Sequence, residues 1–401
     1  MRLALALAAA VMAACSSPPA AIVSPTVTAS ARPGLATAAA TATATPVPTP
    51  TPVPKPPILA DVPVQTGLSV PWDLAFAPDG RIFVTERPGN VLIFESGAPN
   101  ARRIGHFSVP NMRAQGEAGL MGIALDPDFA RNGLLYVCAS RVDQGEWRNQ
   151  VLQLKATGNE ISFDGYVIRT GMRAAVAHDG CTVRLGPDRK LWVSMGDSTV
   201  GRLAQDAGSL NGKILRVNTD GSIPADNPVL PGHNERSAVY TWGHRNPQGL
   251  AFQPGTGVPI EVEHGEDTHD EINVLVAGQN YGWPIVEGPN APKRCNAAGV
   301  CFTDPVWSSG DVTIANSGAT FVTGTNWGTW AGSLFTAQLK ETDLRRYVFQ
   351  GTKVTPAEIL LHGKYGRLRS PVLGPDGALY VTTSNGSGDR IIRITATQPP
   401  G

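Results

Sequence analysis

His178 sits in a short turn, Ala177-His-Asp-Gly180, and is the best candidate base in this chain. An imidazole near its natural pKa can take a proton from an alcohol and release it at neutral pH. Asp197 closes Val193-Ser-Met-Gly-Asp197 and is the acid that could orient that ring, hold one tautomer and stabilise the imidazolium. Alone, a turn histidine is more often a solvated surface residue than a catalyst, so its company in space decides its role. Two segments supply candidate company. Tyr240–Gly249 reads YTWGHRNPQG, and Glu263–Pro284 reads EHGEDTHDEINVLVAGQNYGWP. Both crowd Arg, His, acids, Gly and Pro around short apolar stretches, which makes a poor core and a good loop-built site.

Arg245 and Asn246 offer charge and hydrogen bonding, and Arg367, Arg369 and Lys340 add further cations. Gathered at one place they would bind carboxylates or phosphates, with arginine giving bidentate geometry. Scattered, they would be ordinary surface cations paired with Asp and Glu. The stretch His264–Glu271 is rich in oxygen donors of the kind Ca²⁺ prefers. Glu271 with the carbonyl of Tyr281 would make one site, and the carbonyls of Gly265 and Glu266 another; a solvated acidic loop is the plainer alternative. The spacing matches neither an EF-hand nor HExxH. No GxGxxG after a strand, no P-loop and no GxSxG elbow occurs, which removes the main support for nicotinamide, ATP and α/β-hydrolase chemistry.

The positioning elements are strands. Leu74-Ala-Phe-Ala-Pro-Asp-Gly-Arg-Ile-Phe-Val-Thr85 is apolar alternation, a turn and a β-rich run. Related copies begin near Gly122, Thr182, Gly249 and Pro371, with a degenerate one at Ala319–Ala337. Pro, Asp and Gly favour that turn for separate steric reasons. Roughly four strands fall in each unit of about 50–70 residues, and no stretch holds a 3.6-residue apolar period. This predicts an all-β six-bladed β-propeller of four-stranded antiparallel blades, with two β-sandwiches as the alternative. The innermost strand of each blade would precede the turn. Segments just before those strands, Gly116–Gly119, His178–Gly180, Gly243–Gly249 and Arg367–Pro371, would then converge on one mouth.

Bulk properties set the context. Lys+Arg and Asp+Glu are 33 each, so net charge is zero and gives no electrostatic case for nucleic acid. Residues 1–15 read as a lipoprotein-type signal peptide with Cys15 as the lipidated residue, and 16–57 as an Ala/Thr/Pro-rich disordered linker. The domain is expected over 58–397, extracytoplasmic, touching a membrane only through the lipid. Cys295 and Cys301 are expected to form a local disulfide. Cys138 and Cys181 would pair if their strands are neighbours, or remain buried thiols.

The chain resembles the soluble quinoprotein sugar dehydrogenases of the glucose/sorbosone type, on its aldose dehydrogenase branch. The resemblance runs from Val70-Pro-Trp-Asp73 to Ile394. It is carried by Gly243-His-Arg-Asn-Pro-Gln-Gly249, by Asp270-Glu-Ile-Asn273 with Asn280-Tyr-Gly-Trp-Pro284, and by Gly119-Leu-Met-Gly122 and Leu210–Arg216. It implies a six-bladed propeller using pyrroloquinoline quinone (PQQ) and Ca²⁺ to oxidise an aldose at C1 to the lactone. It implies His178 as general base and Asp197 as its partner. Arg245 and Asn246 would face the quinone oxygen, and Lys340, Arg367 and Arg369 would hold PQQ carboxylates. His264 and Asp270 would lie near the cofactor, the carbonyls of Gly265 and Glu266 at the catalytic Ca²⁺, and Glu271 and Tyr281 at a structural Ca²⁺. Glu117 stands where relatives often carry a neutral Gln, and a carboxylate there would repel PQQ unless paired. Aromatic substrate-wall residues have no clear counterpart around Ala315–Trp330, and dimer-forming elements are not evident, so a monomer is expected. The electron acceptor is not implied. A Ca²⁺-dependent propeller lactonase and a non-catalytic binding propeller are the rival readings.

Overall fold

The computed structural model describes residues 55–289, 295, 299 and 301–399. The expectations for the signal peptide, Cys15 and nearly all of the linker fall outside these residues. Six four-stranded antiparallel sheets make six blades in a ring, which removes the two-sandwich alternative. The innermost strands are Pro71–Phe76, Leu120–Leu125, Gly180–Leu185, Pro247–Phe252, Asn316–Phe321 and Leu368–Leu373. Five precede the expected Pro-containing turn. In three of those turns the Asp carboxylate accepts the amide two residues on: Asp79 from Arg81 at 3.1 Å, Asp188 from Lys190 at 3.1 Å and Asp376 from Ala378 at 3.2 Å. That local bond is why the tripeptide makes a tight reversal. In the fifth blade a 3₁₀ segment, Thr325–Trp330, replaces the turn and buries Trp327, which explains the degenerate repeat.

Closure is a tertiary event. Ile58–Leu68 pairs antiparallel with Asp389–Thr397, so the N-terminal strand completes the sixth blade and leaves no open end to the ring. Wedges of fully buried apolar side chains fill the gaps between blades. Phe83, Ile93, Leu120, Leu135 and Leu152 form one such wedge between the first and second blades. Each such side chain contributes roughly 1.5–3 kcal/mol when removed from water. Cys138 of the second blade is disulfide-bonded to Cys181 on the innermost strand of the third, which settles the open pairing; Cys295 and Cys301 are joined as expected.

One regular feature prepares the mouth. Every innermost strand has a register shift within its first residues, as between Gly180 and Val183 or Pro247 and Gly249. A bulge re-aims the adjacent side chains and ends regular pairing. The segments entering these strands are thereby turned toward one end of the ring. Among the described residues no helix is long and apolar enough to cross a membrane.

Candidate active site

The third blade brings its own pair together. His178 Nδ1 lies 2.8 Å from Asp197 Oδ1. A carboxylate can only accept, so Nδ1 carries the proton and Nε2 keeps the lone pair. Both loops are conformationally unusual. His178, Ser198 and Thr199 all have positive φ, between 51° and 61°. Such backbone costs on the order of 1–3 kcal/mol per residue and persists only where surroundings dictate it. Here they do. Ser198 N donates to His178 O at 3.0 Å, and Asp197 Oδ1 also accepts the Thr199 amide at 2.8 Å. A Cβ on Gly196 would lie 2.0 Å from His178 O, so only glycine allows the two loops to touch. The Cys138–Cys181 bridge anchors the chain three residues beyond the histidine.

From this pair a circuit of contacts runs around the whole mouth. Asp197 N donates to Arg245 O at 2.9 Å, and Arg245 Nη1 reaches His264 O at 3.5 Å. Gly265 N donates to Asp270 Oδ1 at 2.9 Å. Asp270 Oδ2 accepts the amides of Ile314 at 2.7 Å and Ala315 at 2.5 Å. Lys340 Nζ donates to Thr313 Oγ1 at 2.9 Å, and Arg367 Nη1 to Leu339 O at 3.3 Å. Arg369, two residues on, donates to Gln248 Oε1 at 3.1 Å, with its guanidinium carbon 3.5 Å from the centre of the Trp72 ring. Gln248 Nε2 donates to Glu117 Oε2 at 3.3 Å, and His178 N donates to that same oxygen at 2.9 Å, closing the circuit.

Glu117 is the hub. Its Oε2 accepts a third bond from Asn246 Nδ2 at 3.1 Å. Its carboxylate therefore joins the second, third and fourth blades, and through Gln248 the sixth. This acid is thus held through one oxygen by three uncharged N–H donors. Glu117 also offsets part of the burial that pushes the Arg369 guanidinium down to about 9. Burial likewise pushes His264 down, so its ring is neutral. Among the described residues, Arg245 Nε, Arg369 Nε and His264 Nε2 are buried without a hydrogen-bond partner. Orphaned polar groups of this kind cost free energy unless something bonds them, and the two guanidinium Nε–H donors among them fit an anionic, oxygen-rich ligand.

Asp270 was expected beside the cofactor. Its carboxylate is enclosed by backbone amides and reaches the site through the loops it holds. Glu266 is exposed, and its amide donates to Glu287 Oε1 at 2.5 Å. Glu271 and Tyr281 border a small pocket behind Arg245, shared with Glu263 and Glu287. The Tyr281 hydroxyl donates to Val274 O at 2.6 Å and accepts from Val276 N at 3.0 Å, so a cation there would use its carbonyl. Burial, then the Glu263 charge, pushes Glu271 up to about 8. A buried acid held by like charge is a fitting ligand for Ca²⁺. Three contributors carried no role in the sequence reading: Gln248, Trp283, and the buried group His244, Glu261 and Glu263. Gln248 and Trp283 lie inside the motifs quoted above, but nothing local shows what they touch.

The sequence profile described as Glucose / Sorbosone dehydrogenase matches residues 68–393. Aldose sugar dehydrogenase YliI of Escherichia coli is 31% identical over 337 residues, covering 81% of this chain and 90% of that protein. Quinoprotein glucose dehydrogenase B of Acinetobacter calcoaceticus is 34% identical over 255 residues, covering 56% and 52%. The PQQ-bound form of aldose sugar dehydrogenase from Streptomyces coelicolor superposes with a TM-score of 0.71 at 33% identity, over 85% of this chain and 100% of that one. With its six blades and the span of that match, this chain belongs to the glucose/sorbosone dehydrogenase family.

Proposed function

We propose that the protein is a PQQ- and Ca²⁺-dependent aldose dehydrogenase that oxidises a sugar at C1 to the lactone. The observation that carries this reading is the closed circuit at the mouth. It joins an oriented His178–Asp197 pair to guanidinium groups of Arg245 and Arg369 whose Nε atoms lack acceptors. A tricarboxylate suits that rim. Lys340, Arg367 and Arg369 would hold its carboxylates, and Arg245 with Asn246 would face its quinone oxygen. The carbonyls of Gly265 and Glu266 would hold the catalytic Ca²⁺, and Glu271 with the Tyr281 carbonyl the structural one. When bound, PQQ supplies a two-electron acceptor for hydride from C1, and Ca²⁺ supplies Lewis acidity at its quinone carbonyl.

The chain's own groups do the rest. His178 Nε2 receives the C1 hydroxyl proton, raising electron density on the substrate oxygen. Asp197 keeps the ring in the accepting tautomer and stabilises the imidazolium that forms. Arg245 places fixed positive charge on the side where negative charge develops. Glu117 locks the base loop to Asn246 and Gln248, so these groups keep one spacing.

Purified protein reconstituted with PQQ and Ca²⁺ should reduce a redox dye in the presence of aldoses. Lactone hydrolysis without PQQ would replace this reading with a lactonase. Neither activity, with no quinone bound, would leave a binding propeller. We further read residues 1–15 as a lipoprotein signal with Cys15 acylated and 16–57 as a spacer. These hold a monomeric domain outside the cytoplasm, where its disulfides persist. Labelling with a fatty-acid analogue that is lost in Cys15→Ala tests the anchor.

A further inference from the structure

Trp283 has no part in the mechanism above, yet it touches both of its halves. The indole Nε1–H donates to Asp197 Oδ2 at 2.8 Å, the oxygen that does not face His178. The Arg245 guanidinium carbon lies 5.2 Å from the centre of the indole ring. The indole is itself held: Trp283 N donates to Gly243 O at 3.0 Å, and Gln205 Nε2 donates to Trp283 O at 2.7 Å. One rigid plane thus contacts the base's acidic partner through its edge and the anion-stabilising cation through its face. A carboxylate gripped at one oxygen only can rotate about its Cβ–Cγ bond. Gripped at both, it presents Oδ1 to the imidazole in one orientation.

We propose that Trp283 is a positioning residue that sets His178, through Asp197, at a fixed spacing from Arg245. The proposal rests on the dehydrogenase reading. The charged or titratable groups around His178 are Asp197 at its ring, Glu117 at its backbone amide, Arg245 across the mouth and buried Asp179 beside it in the chain.

Trp283→Phe keeps an aromatic face for Arg245 and deletes the indole donor. We expect kcat to fall about tenfold, with KM for the sugar and Kd for PQQ changed by no more than about threefold. The uncompensated Oδ2 will hold the imidazolium more strongly. The acid limb of kcat/KM should then move up by about half a pH unit, and NMR titration of the His178 ring in cofactor-free protein should move with it. Site-specific benzothienylalanine, an isostere of Trp without the N–H, should reproduce these changes and covers a Phe variant that fails to fold. Unchanged kcat and unchanged His178 titration, with only a lower Tm, would overturn the proposal. So would lost PQQ binding at normal kcat, which would make Trp283 part of the cofactor wall. Wild-type protein without PQQ-dependent turnover would defeat the dehydrogenase reading instead, and the His178 titration would still report on the Trp283–Asp197 contact.

Discussion

The two ends of the ring use charge in opposite ways. At the turn end, Asp79 bonds Arg81, Asp188 bonds the Trp192 indole and Asp376 bonds the Tyr380 hydroxyl, over separations of 2, 4 and 4 residues. At the mouth, Glu117 bonds Asn246 across 129 residues, Gln248 bonds Arg369 across 121 and Trp283 bonds Asp197 across 86. These three Asp pairs are completed within their own blade and serve the fold, and the bond from Arg189 of the third blade to Asp128 of the second, at 3.1 Å, ties neighbouring turns together. Contacts at the mouth link blades, and they leave the Nε–H donors of Arg245 and Arg369 without a partner among the described residues. The lesson is that satisfied local pairs mark scaffold, whereas long-range pairs surrounding unsatisfied donors mark a place for a ligand.

The sharpest break of this contrast is His178→Ala. Turnover should fall on the order of 10³-fold with PQQ still bound, since general bases contribute 10² to 10⁴; near-normal turnover would remove His178 as the base. Next comes Asp179, beside the base. Burial pushes its carboxyl up to about 7 from the ordinary 3.8. The fold therefore favours the protonated form. That stability is complete below the ordinary carboxylate range and lost as pH rises through about 7. Between pH 4 and pH 8 cofactor-free wild type should lose up to about 4 kcal/mol more than Asp179→Asn, the buried Glu271 acting in the same direction in both proteins. Denaturant titrations at several pH values check this, and parallel slopes would refute it.

A smaller effect separates charge from geometry at the hub. Glu117→Gln keeps an acceptor oxygen and removes a negative charge facing an anionic ligand, so Kd for PQQ should tighten about tenfold. Glu117→Ala should loosen it, because three donors lose their anchor. Fluorescence titration with PQQ reads both, and equal affinities in all three proteins would mean that Glu117 does not face the ligand. The smallest effect belongs to the other end. Asp376→Asn should cost about 1 kcal/mol or less, its partners being partly exposed, and leave turnover unchanged. A large loss of activity there would erase the distinction between the ends.

Much of the scaffold was legible because its causes are local. The Pro-Asp-Gly turns work through a bond two residues long, and strand alternation needs no distant partner. The mouth was legible in outline, since segments preceding the innermost strands must share one end once the repeat closes. The rest was hidden by distance. The sequence showed Glu117 as an anomaly; only folding showed three donors converging on it. Asp270 reads as a residue near the cofactor, and only folding shows the loop amides around both its oxygens. The terminal strand Ile58–Leu68 alternates well enough, yet its partner lies at the other end of the chain. Cys138 and Cys181 could be joined only once their blades were known to be neighbours.

From the order of its residues alone, this protein had its blades, their turns and the chemical types available at the mouth, because steric preference and apolar periodicity act over a few residues. Which nitrogen of His178 is free, which carboxylate is neutralised and which guanidinium atoms await an acceptor were decided in three dimensions. Those properties depend on distance and burial, set by residues from 19 to more than a hundred positions away.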